Sequence, residues 1–211
     1  MNNCLKFLLY ITVIAAFCSA KADPSSDFFR AVNVDNDLTV KAQLASGFNP
    51  NTRNEQGQPA LFVALRDESH KVVAALLAHP AIRVDTTTSA DETPLMMAAL
   101  RGNLLSTQRL VEAGAALNRP GWAPLHYAAS GSGVAVVRWL LDQGAAIDAL
   151  SPNRSTALMM AARYGALDSA ALLLSRGANP RLRNERDLSA ADFARAADRE
   201  ALATRLEQAS R

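Results

Sequence analysis

A regular spacing of about 33 residues governs this chain, and self-similarity at such a period marks a repeat architecture. Four short segments align: Leu61-Phe62-Val63-Ala64, Leu95-Met96-Met97-Ala98-Ala99, Leu125-His126-Tyr127-Ala128-Ala129 and Leu158-Met159-Met160-Ala161-Ala162. Their leading leucines, Leu61, Leu95, Leu125 and Leu158, keep that interval to within three positions. One period further on stands Ala191, with Ala194 three later, and one period before Leu61 stands Phe28, with Ala31 three later. Nineteen positions after the lead come Gly47, Gly114, Gly144 and Gly177, with Pro80 in the second unit. A register held from Asp27 almost to Arg211 predicts a stack of equivalent units around a continuous core.

Each unit reads as two helices and an extended finger. In Thr93-Pro94 the threonine can accept a backbone N–H as N-cap, and proline sits where a missing N–H does no harm. Thr156-Ala157 opens its unit in the same way. The Leu-x-x-Ala-Ala that follows predicts a short helix whose small residues admit a close neighbour. A turn with Gly102, Gly131 or Gly165 comes next. Apolar residues then recur at helical spacing, as in Val72, Val73, Leu76, Leu77 and in Val136, Val137, Leu140, Leu141. Gly144 before Ala145 fits a left-handed position that ends this second helix. A lone pair of helices cannot bury its apolar face, so stacking is required. The 41 alanines are largely the small residues of that packing.

These segments resemble the ankyrin repeat. Ala123-Pro124-Leu125-His126-Tyr127-Ala128-Ala129 is close to the family's Thr-Pro-Leu-His-x-Ala-Ala signature, and Val136 to Ala145 is close to its second helix and glycine. The resemblance implies an all-α ankyrin-repeat solenoid over residues 27–211, about six units with the first and last as caps, after a short linker at 23–26. Pro59-Ala60 stands where Thr-Pro is expected, Met96 and Met159 replace the signature histidine, and the finger before Leu125 is three residues short. For His126 the resemblance implies a structural hydrogen bond between loops.

Residues 1–22 read as a cleaved signal peptide. Lys6 is followed by an apolar run from Phe7 to Phe17, and Ala20-Lys21-Ala22 supplies the small-x-small cleavage pattern before Asp23. Eleven apolar residues fall short of the roughly 20 that span a bilayer, which disfavours a retained anchor. Phe17 before Cys18 disfavours lipid attachment. This segment also holds both cysteines and the whole charge excess: the chain carries 22 basic and 20 acidic side chains, and without Lys6 and Lys21 the two balance. A thiol-free exported domain suits an oxidising compartment. With 18 arginines to 2 lysines beyond the signal, the expected location is the periplasm of a Gram-negative bacterium, with secretion as the alternative. With its signal peptide, the chain resembles exported bacterial ankyrin proteins.

Little chemistry is visible. His70 and His79 are nine residues apart, unlike an i, i+4 metal pair. Neither a nucleophile motif nor a phosphate-binding glycine loop occurs, and there is no basic stripe for nucleic acid. No enzyme activity, cofactor, metal, nucleic acid or membrane insertion after cleavage is expected, and a monomer is. The resemblance implies instead a protein partner docked on a concave face of finger tips and inner helices. The positions that map there include Trp122, Arg163, Tyr164, Arg101, Arg66, Glu92, Asn153 and Arg186. Trp122 stands out beside the shortened finger, because Trp, Tyr and Arg dominate binding hot spots. Packing of Trp122 over the gap is the competing reading. A second functional reading uses Met96, Met97, Met159 and Met160 as oxidant-sensitive groups.

Overall fold

A computed structural model describes residues 23–210, and the expected signal segment with Cys4 and Cys18 lies outside them. Twelve helices form six pairs among the described residues: α1 (Pro24–Asn33) with α2 (Asp37–Ala45), α3 (Ala60–Arg66) with α4 (His70–Leu77), α5 (Pro94–Leu100) with α6 (Leu104–Glu112), α7 (Pro124–Ser130) with α8 (Val134–Asp142), α9 (Ala157–Arg163) with α10 (Leu167–Ser175), and α11 (Ala190–Arg195) with α12 (Glu200–Ala209). No helix among them is long and apolar enough to cross a membrane. Residues 24–26, expected as linker, are the first turn of α1. Asp23 accepts from the Ser25 N–H, and Pro24 occupies the turn whose N–H groups need no helical partner.

Four inner helices, α5, α7, α9 and α11, start in one way with different chemistry. Thr93 Oγ1 accepts from the Met96 N–H at 3.2 Å, and Met96 Sδ accepts from the Thr93 N–H at 3.3 Å. Thr156 and Met159 repeat this at 3.3 and 3.4 Å. Asp192 and Ser189 do so with a carboxylate. In α7 Ala123 offers no side-chain acceptor, so only the return bond to His126 Nδ1 is made, at 3.1 Å. In these four helices the residue after the lead position is an acceptor for the N-cap N–H, whether imidazole, thioether or carboxylate.

Small residues set how the pairs stack. Ala98, Ala99, Ala128, Ala129, Ala161 and Ala162 are fully buried. At the turns the approach is closer still: a Cβ on Gly131 would lie 2.3 Å from the Leu100 carbonyl oxygen, and one on Gly165 2.0 Å from that of Ala129. From the second unit onward inner helices approach each other more closely than outer helices do.

A ladder of polar side chains holds the fingers in register. Asn51, Asp85, Asn118 and Asp148 each accept from a backbone N–H one unit further on, those of Arg83, Ala116, Ala146 and Asn179, at 2.8 to 3.1 Å. Each bond fixes an otherwise free loop N–H. The shortened finger keeps its rung at Asn118 and adds another: Arg119 donates to the Asp91 carbonyl at 2.8 Å and to its carboxylate at 2.9 Å.

Candidate protein-binding face

Residues three before, two after and five after each lead position share the inner face. In the third to fifth units these positions supply Leu100, Trp122, Tyr127, Ser130 and Met160, which with His126 line an almost wholly apolar hollow of about 250 Å³. The hollow spans three units. It lies beside the shortened finger, where the row of tips is interrupted.

Trp122 belongs to both readings of the sequence. Its ring stands edge-on to His126 at 5.4 Å and to Tyr127 at 6.3 Å, so it is braced by its own unit. It is nevertheless only half-buried, and it walls the hollow rather than filling it. Tyr127 is held in turn by Glu92, which accepts from its hydroxyl at 3.2 Å. Burial, then the Glu92 charge, push the phenol up to about 12, so it remains a donor at any physiological pH. His126, beneath them, makes the loop bonds expected of it: Nε2 lies 3.0 Å from the Ala149 oxygen and 3.1 Å from that of Ser155. Burial lowers its pKa, so the neutral ring accepts at Nδ1 and donates at Nε2.

Two arginines flank the hollow along the stack. Arg101 follows Leu100 in the turn and makes a loose, half-exposed ion pair of 3.9 Å with Glu68. Arg163 ends α9 with its guanidinium 5.3 Å from the centre of the Tyr164 ring, which is 56% exposed. The middle unit carries Ser130 and Gly131 at the matching positions.

The other expected residues lie apart from this cluster. Arg66 pairs with Asp67 at 2.7 Å and lines a separate polar hollow with Asp23, Arg30 and Glu55 at the N-terminal end. Asn153 turns its side chain into its own finger, where Oδ1 accepts from Ser151 Oγ and from the Ser155 N–H. Arg186 is exposed on the last finger. Tyr127 and Met160 were absent from the expected docking set, although each stands two residues after a lead leucine, a position whose exposure only the neighbouring unit decides.

A family model for ankyrin repeats, in three copies, matches residues 28–120 and 95–184. The chain belongs to the ankyrin-repeat family. It is 32% identical over 112 residues to the rat ankyrin repeat and SAM domain-containing protein 6, covering 51% of this chain and 13% of that protein. It is 29% identical over 151 residues to the human transient receptor potential cation channel subfamily A member 1, covering 66% of this chain and 14% of the channel. The nematode Caenorhabditis elegans poly [ADP-ribose] polymerase tankyrase is 40% identical over 84 residues, covering 38% of this chain and 4% of the polymerase. The chain thus spans only a small part of the curated relatives it matches. Ankyrin repeats are generally non-enzymatic interaction units, and tankyrase's name describes that protein.

Proposed function

We propose that this ankyrin-repeat chain is a non-catalytic protein-interaction module of the periplasm. Its inner face captures one partner protein and thereby shields or inhibits it. The supporting observation is the apolar hollow between Leu100, Trp122, Tyr127 and Met160. It suits one aliphatic or aromatic side chain of a partner, and desolvated aromatic pockets carry most of the energy of such contacts. Arg101 and Arg163 on either side favour an acidic segment around that anchor. The apolar run before Ala20-Lys21-Ala22 supports export, with release into the medium as the alternative destination.

The test is capture from a periplasmic extract on the immobilised chain. A specific partner is retained, Trp122→Ala and Arg163→Glu lose it while keeping their helical circular dichroism, and Arg138→Glu on the outer helix α8 keeps it. Loss with Arg138→Glu but not with Trp122→Ala would place binding elsewhere and overturn this reading. N-terminal sequencing of the exported chain should begin at Asp23.

The oxidant reading of four equivalent methionines is not favoured. Met96 and Met159 are fully buried with their sulfurs engaged, and Met97 is 8% exposed.

A further inference from the structure

We propose that Met160 is a selective oxidation site through which peroxide closes the inner-face hollow to apolar side chains. The four methionines of the repeats form two sequence pairs, yet they differ in surroundings. Met96 and Met159 occupy the signature-histidine position, lie at 0% exposure, and commit a sulfur lone pair to a backbone N–H. Met97 packs within the N-terminal core. Met160 alone of the four walls the hollow, and it is half-buried. A peroxide entering the hollow meets that thioether first.

The step needs only a peroxide. The Met160 sulfur attacks one peroxide oxygen, an S–O bond forms, and the O–O bond breaks. Sulfur loses two electrons, and the departing oxygen gains them and leaves as water once protonated. The sulfoxide is a strong dipole where a soft apolar group stood. Set among Leu100, Trp122 and Tyr127, it draws water into the hollow and makes the seating of an apolar side chain unfavourable. The last consequence rests on the hollow being the partner site. The selectivity does not.

Peptide mapping of the purified chain after graded hydrogen peroxide tests the site. Met160 is expected to oxidise about tenfold or more faster than Met96 and Met159 in the folded chain, with equal rates in urea. Equal rates in the folded chain overturn the proposal. Closure is read from Trp122 in a Trp139→Phe background. Its emission should shift on oxidation, recover with methionine sulfoxide reductase, and stay constant in Met160→Leu. Selective oxidation with unchanged Trp122 emission overturns closure. A failed partner capture beside selective Met160 oxidation sinks the partner reading and leaves this site standing.

Discussion

At the scale of single residues, His126 shows how one position carries two jobs. It accepts the N-cap N–H of its helix, as Met96 and Met159 do, and it also reaches the Ala149 and Ser155 carbonyls of the next finger. A thioether can do the first but has no proton for the second. His126→Met should therefore keep the helix start and lose the bond between units, at a cost of about 1–2 kcal/mol in urea unfolding. The wild-type histidine also brings an acid sensitivity. Burial lowers its pKa from the ordinary 6.5. Above 6.5 it is neutral in both the folded and the unfolded chain. As the pH falls below that value the unfolded chain takes up the proton first, so stability declines until the folded value is reached. The melting temperature should drop as the pH falls below 6.5, and His126→Met should remove that drop. An unchanged pH profile in the variant would show that another group titrates there.

At the scale of helices and turns, the glycines at the inner bends act through closeness. Gly177 has φ 89° and open space around its missing Cβ, so its requirement is conformational. Gly131 and Gly165 lie outside the left-handed region, and their constraint is the carbonyl of the preceding unit. Gly165→Ala should then cost about 3 kcal/mol by pushing two units apart, measured by denaturant unfolding. A loss no greater than that of a surface substitution would mean the turn yields without strain.

The repeat register places these turns and all six helix pairs, because the sequence period dictates where apolar faces recur. Its error at Pro24 is local: Phe28 marked the lead position, while the Asp23-Pro24 start lies four residues upstream and outside the Thr-Pro pattern. In the sequence the hollow was legible at Trp122, where the short finger is visible as a deletion, and at the exposed inner-helix positions Leu100 and Ser130, but not at Tyr127 and Met160. Its other walls come from three units, and whether Tyr127 or Met160 stays exposed depends on how far Trp122 leans and how closely Gly131 and Gly165 let neighbours approach.

At the scale of the whole molecule, the buried apolar residues fall into two clusters. One runs from Phe28 to Ala115, and the other begins at Ala99 and continues through Leu206. They meet between the third and fourth units, where backbones approach closely. There the short finger is tied by Arg119 to Asp91, and α7 is tied by Tyr127 to Glu92. In a linear array each unit is stabilised mainly by its neighbours, so cooperativity is set by the weakest junction. This junction combines close backbone packing with polar cross-links, and it carries the hollow as well. Both tryptophans, Trp122 and Trp139, lie on its C-terminal side. Fluorescence thus reports the second cluster, whereas far-ultraviolet circular dichroism reports every helix. In the wild type the two urea transitions should coincide, as two-state unfolding requires. Arg119→Ala removes the finger's tie and leaves that of Tyr127, and adding Gly165→Ala weakens the second cluster. In that double variant the fluorescence midpoint should fall below the circular dichroism midpoint, with residual helix from α1 to α6 at intermediate urea. Transitions that still superimpose would mean that close backbone packing at Gly102 and Gly133 couples the halves without Arg119. The hollow would then sit on a rigid seam, and its width would be fixed by the stack alone.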